Sequence, residues 1–403
     1  MKILLVIADG LGDRPSPSLG GATPLEAAST KNLDELSREA MIGLIDPIRP
    51  GIIPGSDTSH LSYLGYDPEK YYTGRGPFEA LGTGLKLKAG DIAFRANFAT
   101  VDKSGIITDR RAGRIREGTR DLAASLNMRI EDVDIMFREG TEHRGALVLR
   151  GPGMNNLVTD NDPHSDNRPP NKITPTDARG EKTARILNKF YSRSLEILED
   201  HPVNRERASK GLKKANAILF RGGGVVPELP DFNEKFGVKG GFVAAVALVS
   251  GICLLAGLRD FTPPEITGSL DTPVPRKIKA AIAALKEVDF VIVNIKGTDI
   301  AGHDGNANAK RQFIEKIDSA LGEVVAMKED LVFCFTGDHS TPASVKEHTS
   351  DPVPIMIRFP GCRKDRIGHL DESSAVRGSL RLRGNDLMNV LLSSANLSQK
   401  YGA

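Results

Sequence analysis

Three apolar runs along the chain stop abruptly at polar residues. Ile3–Ala8 stops at Asp9-Gly10, Phe290–Ile295 (FVIVNI) runs into KGTDIAGH, and Leu331–Thr336 (LVFCFT) runs into GDHST. Val353–Phe359 is a fourth run, made less regular by Pro354. Short continuous apolar runs, as opposed to alternating ones, read as strands buried on both faces of a parallel sheet. Helical spacing between them predicts helices over Arg276–Lys286 and Arg311–Met327. Strands alternating with helices predict an α/β fold with a doubly wound sheet.

The middle of the chain has a different pattern. Residues 91–150 are short β-like pieces joined by basic turns. Residues 159–177 (TDNDPHSDNRPPNKITPTD) are rich in Pro, Asn and Asp and read as a long loop, with a helix following over Asp177–Glu199. Ala217–Phe220 reads as a strand that ends in a turn at Arg221-Gly222-Gly223-Gly224. The expected organisation is a discontinuous core, 1–90 and 225–403, with a smaller α/β domain, 91–224, inserted into it.

Composition narrows the functional classes. Lys+Arg 54 against Asp+Glu 52 leaves a net charge of +2, with no electrostatic footprint for nucleic acid. Three widely spaced cysteines, Cys253, Cys334 and Cys362, argue against a disulfide framework or a thiolate metal site and suit a reducing cytoplasm. The uncharged run Phe242–Leu258 is barely long enough to span a bilayer and reads as a buried helix, so no membrane partner is expected.

The candidate chemistry sits where the strands end, which is where open α/β sheets bind ligands. Asp9 ends the first strand. Asp299 and His303 follow the second at i, i+4, one face of a helical turn. Asp338 and His339 follow the third, and His348 precedes the fourth. Each alone is ordinary turn or cap material. Together they form an oxygen and nitrogen ligand set suited to Mn²⁺, Mg²⁺ or Zn²⁺, and two such ions would attract an anionic substrate. The stretch GSDTSH (55–60) then gains a meaning, because a hydroxyl beside a divalent ion becomes a nucleophile at neutral pH. Ser56 leads by its place at a helix start. Thr58, Ser59 and Ser62 are rivals, and His60 lies on the same helix face as Ser56.

The ordered set Asp9-Gly10, Gly55-Ser56, His60-Leu61, Asp299-x-x-x-His303, Gly337-Asp338-His339 and His348-Thr349 with Pro352-Val353-Pro354 resembles the alkaline phosphatase superfamily. More narrowly it resembles the cofactor-independent phosphoglycerate mutases of archaeal type, from Met1 to past Pro354. The resemblance implies an alkaline-phosphatase-like core and two divalent ions, with Mn²⁺ placed first and Mg²⁺, Co²⁺ or Zn²⁺ as alternatives. It implies one metal on Asp9, Ser56, Asp338 and His339 and the other on Asp299, His303 and His348. It also implies a phosphoryl group passed from 3-phosphoglycerate to Ser56 and back to the 2-hydroxyl, with no 2,3-bisphosphoglycerate. A metal-dependent phosphatase or a phosphosugar mutase of the same superfamily is the alternative. A non-catalytic metal and phosphate binder is the reading from another class.

Such a mutase must hold a carboxylate and a phosphate, for which bidentate arginine is suited. The inserted segment offers Asp109, Arg110 and Arg111 in TDRRAGRIR, with Arg114 and Arg116 beyond them. It also offers His143 and Arg144 in EHRG, and Asp162 and His164 in DNDPH as an acid and a base for glycerate hydroxyls. Lys239, before the apolar run, is placed within reach of the core site. The expected partner is a small phosphorylated substrate, with homo-oligomerisation an added possibility.

Overall fold

The computed structural model describes residues 1–327, 330–398, 400 and 402. The chain divides into two compact units, one formed by Met1–Tyr71 with Leu229–Ala403 and the other by Tyr72–Glu228.

The first unit is built on an eight-stranded sheet. Its strand order is Arg259–Asp260, Gly240–Val243, Phe290–Ile295, Lys2–Ala8, Leu331–Thr336, Val353–Arg358, Met41–Asp46 and Leu380–Arg383. Every residue of Phe290–Ile295 and of Leu331–Thr336 is buried. A buried aliphatic side chain contributes roughly 1.5–3 kcal/mol. Burial therefore holds the three central strands in place whatever the loops do. All pairings are parallel except those of Val353–Arg358, which runs antiparallel to both its neighbours. That corrects the expectation of an all-parallel set. The reversal has a positional effect: the strand begins at the end where Leu331–Thr336 finishes, so residues 337–352 stay at the carboxyl end of the sheet.

Other differences from the sequence reading are local. The run Phe242–Leu258 is shared between the strand Gly240–Val243 and a helix, Ala247–Leu255. Among the described residues no helix is long and apolar enough to cross a membrane. The helix expected over Arg311–Met327 is two helices, Ala307–Ala320 and Gly322–Ala326.

The second unit is an antiparallel sheet in the order Ile107–Asp109, Ile92–Val101, Arg144–Arg150, Val133–Glu139 and Met128–Ile130, with Ala217–Val225 paired to Ile92–Val101. Arg221–Gly224 lies inside this last strand and is not the turn expected from its glycines. Alternation along Ile92–Val101 sends Ile92, Phe94, Ala96 and Phe98 into a core shared with the helix Glu181–Glu199. Arg95 and Asn97 fall on the other face. There Arg95 is paired across the sheet with Arg221, and Asn97 with Arg144.

Candidate active site

Three adjacent central strands deliver three carboxylates to one end of the first unit's sheet. Asp9 follows Lys2–Ala8. Asp299 and His303 lie on the helix Gly297–His303 after Phe290–Ile295, and Asp338 and His339 follow Leu331–Thr336. Gly10 turns the chain at φ 66°, and a Cβ there would stand 2.7 Å from Thr341 Oγ1 and 2.8 Å from the Asp299 Cα. Only glycine allows the two loops to approach this closely.

The nucleophile candidates are on the helix Ser56–Tyr63, whose side chains are buried except that of Thr58. A short, polar, buried helix gains little from propensity and depends on tertiary partners. Tyr63 donates to the Gly337 carbonyl at 2.8 Å, which ties this helix to the Asp338 turn. The rival hydroxyls are engaged or turned away: Thr58 closes its own turn on Gly55, Ser62 bonds Asn385, and Ser59 is buried without a partner. Of these hydroxyls only that of Ser56 reaches the strand-end cluster, with Oγ 3.2 Å from Nε2 of His339 and 3.5 Å from Nζ of Lys296.

The ligand atoms fall into two groups, Asp9 with Asp338 and His339, and Asp299 with His303 and His348. His339 stacks on His348 with ring centroids 3.6 Å apart, so the groups adjoin. The hydrogen bonds fix the imidazole tautomers. His303 Nδ1–H donates to the Lys346 carbonyl at 2.8 Å and His348 Nδ1–H to the Pro54 carbonyl at 2.9 Å. Thr341 gives its one hydrogen to Asp299 Oδ1 (2.9 Å), so it accepts from His339 Nδ1–H at 3.0 Å. All three Nε2 lone pairs then point at carboxylate oxygens. Those of His303 and His348 are 3.4 and 3.5 Å from Asp299 Oδ1, and that of His339 is 3.5 Å from both Asp9 Oδ1 and Asp338 Oδ2.

Lone pairs opposing carboxylate oxygens call for a cation between them. Imidazoles that donate their other N–H to a carbonyl or hydroxyl are typical of metal-ligating histidines. Asp338 Oδ2 is buried with no hydrogen-bond donor. The residues fit divalent ions bound through oxygen and imidazole nitrogen.

The local field agrees. Burial pushes Asp9 up to about 7, helped by Asp338 and Asp299 and opposed by Lys296. A divalent ion on its oxygens would reverse that push. Burial lowers His339 to about 3, against the pull of Asp338, so its ring is neutral. Asp299 is held well below the usual carboxylate range: burial works against ionisation, but the Lys296 ammonium leads an opposing pull that outweighs it.

Lys296, Asn294 and Lys310, which the sequence reading passed over, complete the surroundings together with His60. Lys296 bridges Asp9 Oδ1 and Asp299 Oδ2 at 2.7 Å each. Asn294 donates to Asp9 Oδ2 at 2.9 Å and faces His60 Nε2 at 3.3 Å, while His60 Nδ1–H bonds the Ser56 carbonyl at 2.6 Å. Lys310, fully buried, donates to the Gly12 carbonyl, to Asp13 Oδ2 and to the Thr341 carbonyl at 2.8–3.0 Å, pinning the Asp9 loop to the loop after His339. The one sequence signal for Lys296 and Asn294 was their place at the end of an apolar strand.

Lys239 is not brought to this site. Its backbone bonds Asp289, which precedes Phe290–Ile295, so it lies exposed at the opposite end of the sheet.

In the second unit Arg110 makes a bidentate pair with the buried Asp162 at 2.7–2.8 Å, and Arg221 reaches His164 at 2.9 Å. Burial pushes the Asp162 carboxyl up, and Arg110 more than offsets it, so Asp162 is ionised and committed. Asp109 accepts from the Arg111 and Gly113 amides and pairs with Lys213, which is turn structure. Arg111 and Arg144 are exposed. The sequence reading missed Arg95, whose buried Nε has no hydrogen-bond partner. Burial, with Arg75, Arg221 and Arg144 nearby, lowers Arg95 to about 10 against the pull of Glu79, 3.9 Å from its Nε. Crowded guanidiniums with a donor to spare make an anion-seeking face.

Fold and site together define a mixed α/β protein with a buried serine hydroxyl beside two adjoining carboxylate–imidazole groups. The family model described as 2,3-bisphosphoglycerate-independent phosphoglycerate mutase matches residues 37–204. The chain is 50% identical over 402 residues to a Picrophilus torridus protein of that name, covering 100% of both chains. It is 49% identical over 413 residues to a Methanothermobacter thermautotrophicus enzyme, again covering 100% of both. A solved structure described as cofactor-independent phosphoglycerate mutase from Thermoplasma acidophilum superposes with a TM-score of 0.74 at 40% identity, over 98% of this chain and 100% of that one. A Pyrococcus horikoshii protein superposes with a TM-score of 0.88 at 37% identity, over 100% and 99%. The chain belongs to the 2,3-bisphosphoglycerate-independent phosphoglycerate mutase family.

Proposed function

We propose that this isomerase interconverts 3-phosphoglycerate and 2-phosphoglycerate through a phosphoserine at Ser56, with two divalent ions and no bisphosphoglycerate. The observation that carries the reading is the Ser56 hydroxyl, alone among its rivals in reaching His339 of one ligand group and the Lys296 ammonium that bridges to the other. Asp9, Ser56, Asp338 and His339 would hold one ion, and Asp299, His303 and His348 the other. Mn²⁺ is taken as the first candidate, and the oxygen and imidazole ligands also suit Mg²⁺, Co²⁺ or Zn²⁺. Bound there, such ions supply positive charge to phosphoryl oxygens and lower the pKa of a neighbouring hydroxyl.

The chain's own residues do the rest. Ser56 Oγ forms the bond to phosphorus as the bond from phosphorus to the substrate 3-oxygen breaks, and the proton that Ser56 gives up ends on that oxygen. The glycerate stays bound and turns, and its 2-oxygen takes the phosphoryl group back from Ser56. Arg95, Arg144 and Arg221 are the proposed anion contacts of the second unit, with Arg110 and Asp162 holding the loop that sets His164 against Arg221 and Asp109 and Arg111 shaping the turn after Ile107–Asp109. A cytoplasmic setting suits the three buried, unpaired cysteines.

The test is an assay of metal-reconstituted protein on 3-phosphoglycerate without bisphosphoglycerate, following 2-phosphoglycerate and free phosphate together. Isomerisation with little phosphate release is expected. Phosphate release alone would make the site a phosphatase.

A further inference from the structure

Lys296 stands at the junction of the two ligand groups. Its ammonium contacts Asp9, which belongs to one group, and Asp299, which belongs to the other, at 2.7 Å each, and it lies 3.5 Å from the Ser56 hydroxyl. Among the described residues it is the only lysine or arginine within 4.0 Å of Asp9, Asp299 or Asp338. It follows the strand Phe290–Ile295 directly, so its backbone is held by the sheet while its four-carbon stem has the rotatable bonds to reach another partner. Its side chain is 19% exposed, whereas Asp9 is fully buried.

The oxygens it occupies are ligand oxygens. Asp9 Oδ2 is taken by Asn294 Nδ2 and Oδ1 by Lys296. A divalent ion drawn to Asp9 and Asp299 competes with the ammonium for the same atoms, and repulsion between the two cations in a buried site is strong. Without any cation, three carboxylates gathered this closely would repel one another.

We infer that Lys296 is a tethered counter-ion that positions Asp9 and Asp299 for metal binding and lowers the metal affinity of the site, so that loading requires its ammonium to exchange those carboxylates for another partner. The inference rests on the two-metal reading above. The nearest other polar partner is Ser56 Oγ, where the anionic phosphoryl group would arrive. Lys296 is therefore a positioning residue whose effect is read in metal binding.

The experiment compares wild type, Lys296→Met, Lys296→Gln and Lys296→Arg after chelator treatment, by thermal melting and by calorimetric titration with Mn²⁺. Wild-type protein that binds no Mn²⁺ would sink the two-metal reading itself, separately from the role of Lys296. Given wild-type binding, the Met and Gln variants should melt lower than wild type when metal-free. They should bind Mn²⁺ at least about tenfold more tightly, and Arg should restore wild-type behaviour in both. If a neutral variant folds only with Mn²⁺ present, it should surrender the ion to chelator more slowly than wild type. Equal or weaker affinity in the neutral variants, or equal or faster loss to chelator, would overturn the inference.

Discussion

The Thr341 hydroxyl lies 3.0 Å from Nδ1 of His339 and gives its own hydrogen to Asp299 at 2.9 Å. One side chain thus sets the tautomer of a histidine in one ligand group and anchors a carboxylate of the other. Gly302 makes room for it, since a Cβ there would stand 2.3 Å from the Thr341 carbonyl oxygen. Thr341→Val keeps the shape and removes both bonds. The variant should fold and bind Mn²⁺ roughly 10–100-fold more weakly, as read by calorimetry. Unchanged affinity would show that the tautomer is set elsewhere.

Ser56→Ala should abolish isomerisation and leave the metal on Asp299, His303 and His348 in place. Intact-protein mass after exposure to substrate should show a phosphoryl adduct on wild type and none on the variant. His303→Ala is the complement, and elemental analysis should find one metal ion per chain lost. Activity retained in Ser56→Ala would move the nucleophile to a neighbouring hydroxyl.

Two buried lysines should respond in opposite ways to replacement by methionine. Lys310 has three acceptors, including Asp13, so Lys310→Met leaves a buried carboxylate without its cation and should cost about 3–5 kcal/mol of stability. Lys277 has one, the Asn294 carbonyl, and burial lowers it to about 8 from an ordinary 10.5. Unfolded protein therefore binds more protons than folded protein between those values, and this group's contribution to stability rises with pH across that window. At neutral pH its charged form costs stability, on the order of 3 kcal/mol by linkage. Lys277→Met should raise the melting temperature at pH 7, with the advantage shrinking as pH climbs from 8 towards 10. A constant difference across that range would mean Lys277 does not titrate there.

Arg110 and Asp162 should behave as one unit. If Arg110 acts by holding Asp162, then Arg110→Ala and Asp162→Asn should raise the substrate KM to similar extents. The double variant should be little worse than either, with a coupling of about 0.5–3 kcal/mol. Additive losses would instead make Arg110 a direct contact with substrate.

The strands were legible because burial on both faces leaves an unbroken apolar run. Phe290–Ile295 and Leu331–Thr336 have the bounds their hydrophobicity predicts. Asp9, Asp299, His303, Asp338, His339 and His348 were legible because each sits where such a run meets polar residues. Arg95 was not, because it lies inside a strand and alternation alone turns it to the polar face. The direction of Val353–Arg358 was also hidden, since an apolar run carries no sign of its orientation.

By itself the sequence determined which segments are buried and which ligand types follow them, because both depend on the local order of residues. Tertiary structure decided which hydroxyl of GSDTSH reaches the strand-end cluster, which nitrogen of each histidine is free, and that Lys296 stands between the two groups while Lys239 lies at the far end of the sheet. These are set by hydrogen bonds and charge contacts between residues as many as about 290 positions apart, and such partners are brought together only when the sheet assembles.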